Sequence, residues 1–237
     1  MLKKERQSLI LEKLEERKFC TVGYLAKELY FSPVTIRRDL AEMEKMGFLT
    51  RCHGGAAVDD SQNRTIPFEV REKSNSSEKA ELGRRAARLI HHGDVVFLDA
   101  SSTVAHIADH LSADQGLTVI TNSTKLLERL RGKDITCYLT GGKLLENSYA
   151  LVGCIAENTV STLYADIFFF SSQGITEDGI ITDYSDDETT LRRLMIRNSA
   201  KSVFVCDKSK LGNRYLFKVA DVSELYDMIA DFDLKSK

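Results

Sequence analysis

Positions 32–40 read Ser-Pro-Val-Thr-Ile-Arg-Arg-Asp-Leu, and the two adjacent guanidinium groups are the most chemically pointed feature of the chain. Arg37 and Arg38 can each pair in bidentate fashion with a guanine edge or hold a phosphate, and Thr35 can meet a base edge or a thymine methyl. Such contacts need a short helix that turns these side chains outward. The local sequence supplies one. The Ser32 hydroxyl can accept a free N–H of the first turn, and Pro33 suits the first helical position because its missing N–H costs nothing there. At about 100° per residue, Ile36, Leu40 and Met43 share one face, which must be buried. Val34, Arg38, Ala41 and Lys45 lie opposite, with Thr35 and Arg37 on the flanks. Asp39 is acidic in this setting and is expected to orient a neighbouring arginine.

The elements that position this helix are also readable. Gln7–Glu16 carries Ile10, Leu11 and Leu14 at helical spacing, and Val22–Leu29 carries Val22, Leu25, Ala26 and Leu29 on one side. A turn at Tyr30-Phe31 leads into the outward-facing helix. That order is helix-turn-helix geometry, in which the second helix of the motif enters the major groove. Gly47 is expected to stop the helix. Phe48–Arg51 then reads as a strand that His53-Gly54-Gly55 turns back, forming a wing. The residues expected at DNA are Ser32, Val34, Thr35, Arg37 and Arg38 from the helix, and Arg51, His53 and Gly54 from the wing.

Arg6, Ile10 and Leu14, then Ser32, Thr35, Ile36, Arg37, Arg38, Asp39 and Leu40, resemble the helix-turn-helix signature of the DeoR family of bacterial repressors. His53-Gly54-Gly55-Ala56 resembles the same family's wing.

Charge is divided along the chain. The net charge is −2, but residues 1–58 hold 11 Lys and Arg against 8 Asp and Glu, while the remainder holds 22 against 27. Mild basicity therefore coincides with the motif, as phosphate contact requires. It is too small for tight non-specific binding by one subunit, so a homodimer or homotetramer is expected. Cys20, Cys52, Cys137, Cys154 and Cys206 include no CxxC pair, which reads as reduced thiols in a cytoplasmic protein. Cys52-His53 and His91-His92 lack a second half-site, so no metal and no cofactor is expected. There is no apolar stretch long enough for a signal peptide or a membrane span.

Three segments follow from these patterns: a DNA-binding domain at 1–58, a linker at 59–77 with one short strand around Ile66–Val70, and a second domain at 78–237. The second domain alternates helices and strands. A helix is expected at Lys79–His91, and strands at Val95–Leu98, Leu117–Ile120, Ile135–Leu139, Ile167–Phe170 and Ser202–Cys206. Helices intervene at Val104–Leu111, Ser123–Arg131, Ala156–Leu163 and Glu188–Ala200. This predicts an α/β domain with a mostly parallel sheet, whose ligand sits beyond the carboxyl ends of the strands.

Those ends carry small hydroxylated residues, glycines and lysines suited to an anion. The expected effector residues are Asp99, Ser101, Ser102, Thr103, Thr121, Asn122, Gly141, Gly142, Gly174 and Lys208, with Lys143 as a further cation. Asp99 and Asn122 can bond sugar hydroxyls, so the ligand class is a small phosphorylated polyol or sugar. Asp178-Gly179 reads as a hairpin turn. Arg192, Arg193 and Arg197 read as a solvated helix face, and His106 and His110 as surface or core residues.

From about Glu78 onward, FLDASST, VITNST, LTGGKL, Leu151-Val152-Gly153, Gln173–Ile175 and CDKSK resemble the DeoR-family sensor domain. That resemblance implies a fold related to sugar-phosphate isomerases and a phosphorylated-sugar inducer. Ser101-Ser102-Thr103 departs from the family's glycine followed by two threonines. The reading is thus a non-enzymatic repressor of sugar metabolism with two partners, operator duplex DNA and a phosphorylated sugar. Two alternatives have other signatures. A sugar-phosphate isomerase or deaminase would need an acid–base pair, for which Asp99 and Glu188 are the candidates. A protein-contact role for the N-terminal helices would show no salt-dependent DNA binding.

Overall fold

The structure, a computed structural model, describes residues 3–17, 19–45, 48–52, 54–57 and 66–234. The expected helix stop at Gly47, the wing residue His53 and linker residues 59–65 lie outside the described residues. The chain divides into two compact units between Val70 and Arg71.

The first unit contains α1 (Lys3–Arg17), β1 (Phe19–Thr21), α2 (Val22–Glu28), α3 (Pro33–Lys45), β2 (Thr50–Cys52) and β3 (Gly55–Ala57). The strands form an antiparallel sheet in the order β1-β3-β2. Local chemistry explains the helix starts. Thr21 Oγ1 accepts the Tyr24 N–H at 3.1 Å and Ser32 Oγ accepts the Thr35 N–H at 3.2 Å. Tyr30, with φ 56°, makes the left-handed turn between α2 and α3. Ile10, Leu14, Leu25, Ile36, Leu40 and Met43 are fully buried together. Each contributes roughly 1.5–3 kcal/mol by leaving water.

The strand expected around Ile66–Val70 is instead part of a helix, α4 (Phe68–Lys73), which runs across the division between the units. Pro67 precedes its first turn, and the Pro67 carbonyl accepts the Val70 N–H at 3.1 Å. A proline at a helix start outweighs the β-branched residues on either side of it.

The second unit begins with α5 (Ser76–Ala87) and β4 (Val95–Leu98), followed by a 3-10 helix at Val104–His110. Then come β5 (Thr118–Thr121), α6 (Thr124–Leu130), β6 (Thr136–Leu139), β7 (Lys143–Leu145), β8 (Ala150–Val152), α7 (Cys154–Ser161) and β9 (Ala165–Phe170). The remainder is β10 (Gly174–Ile175), β11 (Ile180–Asp183), α8 (Asp186–Arg197), β12 (Ser199–Cys206), β13 (Phe217–Asp221) and β14 (Asp227–Ala230). Six strands form one sheet, in the order β14-β12-β9-β4-β5-β6, and every neighbouring pair is parallel. Phe168 and Phe170 pack on one face while Phe169 packs on the other, so β9 is buried on both sides. A small antiparallel sheet, β10-β11-β13, contains the hairpin expected at Asp178-Gly179.

Strand order sets the location of the crevice. From β4 the chain steps outward through β5 to β6, and from β9 it steps the other way through β12 to β14. The reversal lies between β4 and β9. In open parallel sheets the carboxyl ends at such a switch point leave room for a ligand.

Candidate functional site

The first unit presents α3 as the sequence requires. Arg37 and Arg38 are exposed, Val34 is 71% exposed, and Thr35 is half-buried with its hydroxyl 2.9 Å from that of Ser32. Asp39 does orient an arginine, but not an adjacent one. It is buried and accepts from Arg6 of α1, through Nε to one oxygen and Nη2 to the other at 3.1 Å. The Arg6 guanidinium also lies 4.8 Å over the Phe31 ring. This pair ties α1 to α3 and keeps the Asp39 charge away from the exposed arginines. In the wing, Arg51 is exposed with its N–H donating to Glu44 at 2.9 Å. Gly54 is exposed with φ 83°, a conformation that favours glycine.

At the switch point of the second unit, Asp99 ends β4 and is buried. It accepts the Ser101 N–H at 3.0 Å, the Ser171 N–H at 3.3 Å and Arg192 Nε at 2.8 Å. Arg192 Nη1 reaches Asp183 at the end of β11, also at 2.8 Å, and Nη2 lies 3.8 Å from Glu188. Ser172 Oγ donates to Asp183 at 3.1 Å. Arg192 is only 4% exposed, which corrects its expected place on a solvated face; Arg193 and Arg197 are exposed. The cause is the register of α8. Glu188, Leu191, Arg192 and Met195 form its inward stripe, and the guanidinium there meets carboxylates. Burial pushes the Glu188 carboxyl up, with Asp183 and Asp99 adding to the effect and Arg192 opposing it. One guanidinium does not neutralise three buried carboxylates, so Glu188 is the group biased toward its neutral form.

A second polar cluster follows β12. Asp207 is buried, and its Oδ1 accepts from Asn75 Nδ2 and the Ser209 N–H, both at 3.1 Å. Its Oδ2 is buried with no hydrogen-bond partner. Lys79 of α5 is 3% exposed; burial lowers its pKa to about 8, against the pull of Asp207. Lys210 is likewise held down by burial, with Asp207 opposing. Arg71 and Asp183 add to the field at Lys210, and Arg71 also acts on Glu188. The two clusters are therefore electrostatic neighbours. Asn122, at the end of β5, likewise leaves a buried Oδ1 unpartnered while its Nδ2 donates to the Leu151 carbonyl at 3.2 Å. Buried polar atoms are ordinarily paired, so Asp207 Oδ2 and Asn122 Oδ1 stand out among the strand-end side chains.

The remaining candidates divide into buried frame and outlying surface. Ser101, Ser102 and Thr103 are buried, and Ser101 Oγ accepts the Val104 N–H at 3.2 Å. The Thr121 hydroxyl is used within the fold, donating to the Leu98 carbonyl at 2.7 Å and accepting from the Ser123 N–H at 3.0 Å. Gly142 has φ 115°, and a Cβ there would stand 2.5 Å from the Val152 carbonyl; Gly141, at φ 70°, completes the turn. A Cβ on Gly174 would stand 2.4 Å from the Asn213 carbonyl, which places this glycine in close packing at the start of β10. Lys208 is exposed, and Lys143 is exposed 3.6 Å from Asp187. The inward cations are Arg71, Lys79, Arg192 and Lys210, none of which the sequence reading selected. A signal existed for two of them. Lys79 stands with Leu82, Gly83 and Ala86, and Arg192 with Glu188, Leu191 and Met195, each set at i, i+3, i+4, i+7 spacing.

Residues 6–62 match the model of the DeoR-like helix-turn-helix domain, and residues 74–232 match that of the DeoR C terminal sensor domain. The chain belongs to the DeoR family. Among its relatives is the HTH-type transcriptional repressor GlcR of Bacillus subtilis, 35% identical over 98% of this chain and 89% of the relative. The L-fucose operon activator of Escherichia coli is 31% identical over 97% of this chain and 96% of its own length. Ribose 5-phosphate isomerase A from Methanocaldococcus jannaschii aligns over 58% of this chain and 55% of its own, with 17% identity and a TM-score of 0.43. Like its DeoR-family relatives, the protein is a DNA-binding transcriptional regulator with a C-terminal sensor domain. Among the described residues, no helix is long and apolar enough to cross a membrane.

Proposed function

We propose that this DeoR-family regulator represses a sugar-metabolism operon from the cytoplasm and releases its operator when a phosphorylated sugar occupies the carboxyl edge of the parallel sheet. Residues 1–58 hold the DNA, with Ser32, Val34, Thr35, Arg37 and Arg38 in the major groove and Arg51, His53 and Gly54 at the wing. A homodimer or homotetramer supplies enough phosphate contacts to offset the modest basicity of each unit. Residues 59–77 connect this domain to a sensor domain at 78–237.

The observation that supports the sensor reading is the pairing of buried Lys79 and half-buried Lys210 with Asp207, whose Oδ2 has no hydrogen-bond partner. Lys79 and Lys210 provide the charge for a phosphate, while Asp207 Oδ2 and Asn122 Oδ1 accept from sugar hydroxyls. The loops at Ser101–Thr103 and Gly141-Gly142 shape the walls. Asp99 has both oxygens engaged by Ser101, Ser171 and Arg192, which fits a frame-holding role better than proton transfer and argues against turnover. The ligand needs only a higher affinity for the arrangement that does not bind the operator. A thermal-shift panel of sugar phosphates tests this, because a ligand that binds the folded state raises Tm. A stabilising member that leaves operator affinity unchanged would refute the regulatory step.

A further inference from the structure

Helix α4 ends at Lys73, and a short turn leads to α5, whose preceding residue Asn75 takes the left-handed conformation at φ 52°. This joint is held from the sensor by three side chains. Lys79 Nζ donates to the carbonyl oxygen of Arg71 and, at 2.8 Å, to that of Ser74. Asn75 Nδ2 donates to Asp207, and Arg129 pairs with Glu72. The last carbonyls of a helix have no partners within the helix, and a cation there satisfies them and suits the dipole. Lys79 thus acts as a C-terminal cap for α4. That helix begins in the first unit and ends in the second.

We propose that Lys79 transmits the effector signal: the ammonium group that caps α4 is also a cation of the effector pocket, so a bound phosphate draws it from the Arg71 and Ser74 carbonyls and frees the end of α4. This rests on the pocket reading above. Asp207 takes part in both states, since its charge acts on Lys79 and its Oδ1 accepts from Asn75. A buried ammonium exchanges two carbonyl partners for a phosphate oxygen, and the turn that follows α4 loses this cap. The charge-assisted bonds it gives up are the stronger kind, so their loss loosens the turn.

The test is amide hydrogen exchange over residues 71–79 of the full chain, with and without inorganic phosphate, followed by the sugar phosphates that raise Tm. In the wild-type protein a stabilising anion is expected to speed exchange in this segment by about tenfold while slowing it at the strand ends. In Lys79→Met, exchange in the segment is expected to be fast already and indifferent to the anion, and Lys79→Arg should restore part of the response. A rise in Tm with unchanged or slower exchange at 71–79 would overturn the transmission step and leave the pocket reading standing. No Tm response to any anion would overturn the pocket reading and the transmission step together. The wild-type comparison requires no variant, so a poorly folding Lys79→Met does not remove the test.

Discussion

Replacing Arg192 with Met is the sharpest test of how the switch point is held together. The side chain keeps most of its apolar length but loses the guanidinium that bonds Asp99 and Asp183 at 2.8 Å each. Asp99 and Asp183 are at most 1% exposed and Glu188 is 5% exposed, so none of the three recovers hydration in place. Removing one partner of a buried ion pair costs about 3–5 kcal/mol, because the other charge stays buried and uncompensated. For a domain of this size each kcal/mol lowers Tm by about 2–4 °C, so a drop of roughly 6–20 °C is expected. The loss must depend on pH. In the variant Glu188, already held up by burial, loses the Arg192 charge that opposes the rise, so the native state binds more protons than the unfolded one. Stability then falls as pH rises, and the deficit relative to wild type is larger at pH 8 than at pH 5. The chain has no tryptophan, so unfolding is followed by circular dichroism at both pH values. A deficit below about 1 kcal/mol at pH 8, or one equal at the two pH values, would refute the charge-balancing role of Arg192.

Two other outcomes follow from the same structure. Replacing Arg37 or Arg38 with Ala is expected to weaken binding to selected DNA by about 1–3 kcal/mol and to flatten its salt dependence if the lost contact is to phosphate; unchanged affinity in both variants would remove α3 as the reading helix. Anion affinity should fall as pH is raised through about 8, where Lys79 loses its proton. Around it stand Asp207 and Lys210 from beyond β12, and Arg71 and Glu72 from α4. Isothermal titration with a sugar phosphate at pH 7 and pH 9 measures this, and equal affinities would show that Lys79 does not carry the binding charge.

The legible parts of the fold are those where local chemistry and burial agree. Ser32 and Pro33 start α3, its apolar stripe at 36, 40 and 43 packs inward, and the exposed arginines follow from that phase. The continuous apolar runs of β4, β9 and β12 marked strands buried on both faces. Shorter elements were not legible. β13 and β14 mix polar and apolar residues, and α4 hides behind Ile66 and Val70. The site was half-legible for a related reason. Hydroxyls and glycines at strand ends announce themselves, whereas Arg192 reads as an outward residue because charged residues usually are, and nothing singles out Lys79. Their helical phase places them inward, and only the carboxylates and carbonyls that tertiary folding brings to them make that tolerable. Asp39 shows the same limit, since its partner Arg6 is 33 residues away.

The central claim joins the arginines of α3 to the buried cations of the sensor. It is tested most directly by measuring the affinity of the full chain for DNA selected from random duplexes, with and without each sugar phosphate that raises Tm. The account predicts salt-dependent binding that weakens at least about tenfold with one such sugar phosphate, within the usual range of coupling between sites. Salt-independent binding, or an affinity that no bound sugar phosphate alters, would contradict it.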